Sequence, residues 1–174
     1  MKRSTIYASM GLAMAVALVL ALVTATEAGD KKQARTDPAI GEAAPQFELT
    51  DVFGNTHKLA DYTGKDVVLY FYPRDDTPGC TKEACGFRDL QKQIQKQGAV
   101  VLGVSPDGPE AHEKFTKKYK LPFPLLSDPD KKVMTRYGAY GEKMMYGKKT
   151  TGVIRSTVWI GPDGKVKKHW KRVA

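Results

Sequence analysis

Cysteine is almost missing from this chain: 174 residues contain two, and histidine contributes three more. Two thiols cannot build a disulfide-rich scaffold or a four-cysteine zinc site. The histidines, at 57, 112 and 169, pair with neither cysteine at metal-ligand spacing, so no metal is expected. There is no Gly-rich phosphate loop, no Gly-x-Ser-x-Gly elbow and no paired-carboxylate signature. No internal repeat or low-complexity tract is present either. Charge is absent from Ser4 to Thr26, and no lipid-attachment cysteine follows that stretch.

What the N-terminus does have is Lys2 and Arg3 ahead of "MGLAMAVALVLALV", then small residues at Val23 to Ala25. This pattern reads as an export signal over residues 1–25, or as an uncleaved membrane anchor through residues 4–26. Either reading puts the remainder outside the cytoplasm, periplasmic or held at the membrane's outer side. Residues 26–39 are charged, small and proline-bearing and read as a flexible leader. Residues 40–174 have the length of one domain. The formal charge is +9, and cleavage after Ala25 would remove Lys2 and Arg3 and leave +7. The lysines are widely spread, in "KFTKKYK" and "KVKKHWKR", which reads as a solvated basic surface. No aromatic-studded basic helix appears, so nucleic acid is not an expected partner.

Alternation begins after the leader. "FELTDVFGNTHKL" predicts two short strands around Gly54 and Asn55. "VVLYFY", Val67 to Tyr72, is a run that suits a strand buried on both faces, and Ala99 to Ser105 is a second. Between them Cys80 to Gln97 predicts a helix ended by Gly98, with Ala84, Phe87, Leu90 and Ile94 on one stripe with Cys80. "GPEAHEKFTKKYK" predicts another helix, "FPLLSD" a short strand, "DKKVMTRYG" a short helix, and "RSTVWIGPDGKVKKHW" a hairpin. This order gives an α/β sandwich, thioredoxin-like, with a mixed central sheet flanked by helices.

Both cysteines fall in "PRDDTPGCTKEAC", at 80 and 85. A staple, a metal clip and a redox pair all compete for them. On an ideal helix, residues five apart are separated by about 7.5 Å along the axis and about 140° around it, so their Cα atoms lie roughly 8–9 Å apart. A disulfide needs about 4.4–6.8 Å. A bond between them therefore requires the helix start to unwind, which suits a pair that changes state better than a permanent staple. Cys80 sits at the head of the helix, where free N–H groups and the dipole favour a thiolate, with Arg74 or Lys82 in reach to help. Thr77 could hydrogen-bond near that sulfur, or simply cap the helix.

"FYPRDDTPGCTKEACGFRD", Phe71 to Asp89, resembles the peroxiredoxins, and more narrowly the Q-type group also called bacterioferritin comigratory protein. The Pro-x-x-x-Thr-x-x-Cys motif of those proteins matches Pro73, Thr77 and Cys80, and a second cysteine five residues on matches Cys85. The resemblance runs from Ile40 to Trp170. It implies that Cys80 attacks a peroxide and becomes a sulfenic acid, that Cys85 condenses with it to a Cys80–Cys85 disulfide, and that a thioredoxin-like dithiol protein reduces the product. It assigns peroxide binding to Thr77 and Arg155, shielding to Pro73, and bracing of the arginine to Glu83, which as first-turn glutamate could equally serve its helix. No cofactor is implied. Chains of this group continue into a further C-terminal helix where this one ends at "KKHWKRVA", so either the helix is absent or the chain is cut short. Absence of the helix would expose apolar sheet surface; a monomer or weak dimer is expected. Tyr140, Met144, Met145 and Tyr146 are candidate pocket walls. An exported thiol–disulfide oxidoreductase is the alternative, against which stands the lack of Cys-x-x-Cys. A non-enzymatic domain with a structural disulfide is the third reading.

Overall fold

The computed structural model describes residues 37–145 and 147–173. The export or anchor segment and all but the last few residues of the leader lie outside them. Among the described residues, no helix is long and apolar enough to cross a membrane.

The chain runs β1 (Glu48–Asp51), β2 (Thr56–Lys58), a 3₁₀ turn (Leu59–Tyr62), β3 (Asp66–Phe71), α1 (Pro78–Lys96), β4 (Ala99–Ser105), α2 (Pro109–Tyr119), β5 (Leu125–Ser127) and α3 (Lys132–Arg136). It then continues through β6 (Tyr140–Met145), β7 (Lys148–Val153), β8 (Ser156–Ile160) and β9 (Val166–Lys171). Seven strands form one sheet in the order β2-β1-β5-β4-β3-β8-β9. β3, β4 and β5 are parallel, while β1 and β8 join antiparallel on either side. This is the α/β, thioredoxin-like mixed sheet that the alternation predicts.

The period-2 geometry of β3 builds two cores. Val67, Leu69 and Phe71 point to one face, with Leu102, Val104, Met134 and Val158. Tyr70 and Tyr72 point to the other, where Cys80 and Ala84 of α1 and Phe115 of α2 cover them. Each fully buried apolar side chain in these layers contributes about 1.5–3 kcal/mol. Gly103 in β4 is required by this packing: a Cβ there would come within 2.7 Å of both the Tyr70 hydroxyl and Leu125.

α1 starts two residues earlier than predicted, with Thr77 at the N-cap and Pro78 at the first helical position, where its missing N–H costs nothing. It ends before Gly98, whose φ of 72° needs a residue without a Cβ penalty. The expected stripe holds for Cys80 and Ala84, whereas Leu90 is exposed. Leu90 faces an open apolar groove of about 680 Å³ between α1 and the β8–β9 end of the sheet, with Phe87, Ile94, Trp159, Trp170 and Val173. The β6–β7 ribbon, a two-stranded sheet of its own, was not predicted from the sequence.

Candidate active site

The site lies where β3 hands over to α1. β3 ends under both core layers, Tyr72 keeps one more ladder bond to Val104, and the chain turns through Pro73 to Asp76 before α1 begins. Asp76 has a positive φ of 55°, uncommon for a residue with a side chain, and its carboxylate is held by Lys118 and by the Tyr119 hydroxyl at 2.6 Å. Directly after this bend, Thr77 takes the N-cap of α1, and Cys80 in the first turn packs into the core with Tyr70 and Tyr72.

Cys80 is the third residue of α1 and only 1% exposed. Its own backbone N–H is one of the helix-start donors without an intrahelical partner, and no side-chain cap occupies that end. Arg155, from the link between β7 and β8, points Nη2 at the sulfur at 3.1 Å. Its other terminal nitrogen, Nη1, donates to Glu83 of the same helix turn. Burial alone would disfavour the charge on Arg155, yet the bonds to Cys80 and Glu83 outweigh it and its pKa rises. Burial pushes the Glu83 carboxyl up, against the pull of Arg155. The cation at the sulfur is thus Arg155, whereas Arg74 and Lys82, the helpers considered from sequence, are exposed.

Thr77 donates its hydroxyl to the carbonyl of Arg74 at 3.1 Å and makes no capping bond, so the capping alternative does not hold. Its oxygen lone pairs stay uncommitted. Pro73 is exposed and, with Arg155, Ile154, Met144 and Lys143, lines a cavity of about 300 Å³ at the mouth of the site. Met144 is thus a wall of that mouth. Tyr140 instead packs against the main core, Met145 is exposed, and Tyr146 lies outside the described residues.

Cys85 is half-buried, and both thiols are free. The two cysteines lie on one helix five positions apart, so their ideal separation of about 8–9 Å forbids a bond until the helix start opens. Among the described residues no group of three or more His, Cys, Asp and Glu side chains could hold a metal ion.

Sequence reasoning missed Gly79. A Cβ there would sit 3.3 Å from Arg155 Nη2, so the bare backbone leaves the guanidinium its path to the sulfur. It also missed Asp75, whose carboxylate joins Tyr72 and His112 in a buried cluster behind the loop. No short-range signal links residues 37 positions apart.

A model of the AhpC/TSA family matches residues 40–169. The chain is 50% identical over 134 residues to a putative peroxiredoxin, bcp, of Coxiella burnetii, covering 77% of this chain and 89% of that one. It is 47% identical over 134 residues to the peroxiredoxin Bcp of Bacillus subtilis, covering 77% and 85%. Among solved structures, peroxiredoxin Q of Xanthomonas campestris superposes with a TM-score of 0.72 at 36% identity, covering 81% and 89%. A bacterioferritin comigratory protein of the same organism, described for its alkyl peroxide reduction activity, gives 0.70 at 38%, covering 74% and 82%.

Proposed function

The chain belongs to the AhpC/TSA family, as a thiol-dependent peroxidase of the Bcp, or Q-type, peroxiredoxins, and on that premise we propose that it reduces hydrogen peroxide and organic hydroperoxides through Cys80, with Cys85 as the resolving thiol. The observation that carries this reading is the 3.1 Å contact between Arg155 Nη2 and the buried Cys80 sulfur at the head of α1.

In the first step the Cys80 thiolate attacks the terminal peroxide oxygen. The O–O bond breaks, sulfur becomes a sulfenic acid, and the leaving alkoxide or hydroxide takes up a proton. Arg155 and the Cys80 N–H stabilise the charge that moves onto the oxygens, Thr77 orients them, and Glu83 fixes the guanidinium. Pro73 walls the mouth against water. In the second step the start of α1 unwinds, the Cys85 thiol attacks the Cys80 sulfenic sulfur, a disulfide forms and water leaves. A thioredoxin-type dithiol protein then exchanges with the disulfide, returning two thiols and leaving itself oxidised. The apolar Met144 and Ile154 at the mouth favour organic as well as hydrogen peroxide. The uncharged segment over residues 4–26 supports an extracytoplasmic location; N-terminal sequencing of protein from a membrane-enclosed fraction checks it.

Stopped-flow peroxide consumption tests the assignment. Cys80→Ser abolishes turnover. Cys85→Ser consumes one equivalent of peroxide and then stalls, because no disulfide is offered to the reductant. Steady-state activity in Cys80→Ser at the unmodified level would end the proposal.

A further inference from the structure

Asp75 is anchored on three sides, although it belongs to the loop that leads into the segment that must unwind. Its Oδ1 accepts the Tyr72 hydroxyl at 2.8 Å, and its Oδ2 accepts from His112 Nδ1 at 2.7 Å. Its backbone N–H donates to Asp107 Oδ2 at 2.6 Å. Facing a carboxylate, Nδ1 is the protonated nitrogen of His112. Tyr72 and His112 are fully buried and Asp75 is 9% exposed. The partners come from three places: the end of β3, α2, and the turn after β4. Asp75 lies two residues before Thr77, and the Tyr72 ring belongs to the apolar layer that buries Cys80.

A second set of bonds brackets the same region from outside. Asp76 is tied to Lys118 and Tyr119, and beyond the cysteines Arg88 Nη1 donates to the carbonyl of Tyr119 at 2.9 Å. Residues 77–87, which hold both thiols, therefore run between two attachments to the end of α2. The exposed pairs at Asp76 are weak in water. The buried cluster is the stronger attachment, because a carboxylate in a low-dielectric site depends on its partners and loses them together when the loop moves.

We infer that Tyr72, Asp75 and His112 form a positioning cluster that holds residues 77–85 in their helical, peroxide-reactive form and thereby sets how fast Cys85 reaches Cys80. The inference rests on the reading of Cys80 and Cys85 given above. The two forms of the segment do opposite jobs. Stabilising the helix depletes the unwound form in which the disulfide closes, while the helical fraction that attacks peroxide, already dominant, hardly changes. Removing a group that merely stabilised the domain would not speed disulfide closure.

Tyr72→Phe keeps the ring and removes one donor to the carboxylate; Asp75→Asn keeps the shape and removes the charge. Each full-length variant is mixed with one equivalent of hydrogen peroxide. Cys80 oxidation and disulfide closure are timed separately by stopped flow and by quenching with an alkylating agent. Intact mass after excess peroxide gives the sulfinic fraction. Loss of one hydrogen bond to the carboxylate in Tyr72→Phe speeds disulfide closure about fivefold and lowers the sulfinic fraction, while the peroxide step, served by the dominant helical form, stays within about twofold. Asp75→Asn speeds closure further, on the order of tenfold. Disulfide closure in Tyr72→Phe that slows, or stays within twofold of the unmodified protein, overturns the inference. An unmodified protein that forms no Cys80–Cys85 disulfide at all refutes instead the resolving role of Cys85.

Discussion

Arg155→Met keeps an unbranched stem of similar reach and removes the forked cation between Cys80 and Glu83. At 3.1 Å and an effective dielectric constant of about 20, a full thiolate and the guanidinium attract by about 5 kcal/mol. Part of that attraction is already present in the resting enzyme, so only the part that grows as charge moves onto the peroxide oxygens accelerates the reaction. A charge-assisted hydrogen bond contributes about 1.5–3 kcal/mol net, which converts to roughly 10- to 150-fold in rate. The second-order rate constant for Cys80 oxidation, read by stopped flow, should fall by that factor. Alkylation by iodoacetamide, which offers no peroxide oxygens to hold, should fall several times less. Glu83 would then be left buried without its cation, so the double variant Arg155→Met with Glu83→Gln separates that stress from chemistry: it should recover thermal stability but not the peroxide rate. Peroxide and iodoacetamide rates that fall by equal factors, or a peroxide rate within twofold of the unmodified protein, would refute the assignment of Arg155 to the peroxide.

Gly79→Ala places a methyl 3.3 Å from Arg155 Nη2 and shifts the guanidinium by a few tenths of an ångström; the peroxide rate should drop about three- to tenfold with no loss of melting temperature. Asp51 accepts bonds from Phe53, Asn55 and His57, and although burial works against its ionisation, these bonds hold its pKa below the usual 3.8. A carboxyl lowered in this way stabilises the fold above pH 3.8, and the contribution disappears as pH falls through the folded value. Asp51→Asn should therefore cost about 1–3 kcal/mol in urea unfolding at pH 7, with the gap to the unmodified protein closing below about pH 3.8.

The elements that sequence revealed are those whose burial is complete or whose ends are punctuated. "VVLYFY" reads as a central strand because both of its faces are covered, and α1 reads as a helix because Thr77-Pro78 opens it and Gly98 closes it. The β6–β7 ribbon escaped because it is mostly exposed, and its lysines and glycines erase the alternation. Leu90 fits its helix periodicity and is still exposed, since periodicity marks a face without saying what covers it. That Cys80 and Cys85 share one helix was legible from the sequence, whereas the roles proposed for them came through the resemblance. Arg155, 75 positions from the sulfur it touches, came only through resemblance to a family. The pairing of Asp75 with His112 had no signal at all, because each alone reads as an ordinary surface charge.

Arg155 takes both of its acid-side partners from a single turn of α1. On the proposed mechanism, opening that turn would carry sulfur and carboxylate away in one movement and leave the guanidinium nothing to grip. A spent molecule would then be barred from a second oxidant by the same event that offers its sulfurs for repair. Readiness would return only when the coil closed and both ligands of the cation came home together, making the arginine a mechanical interlock between damage and recovery.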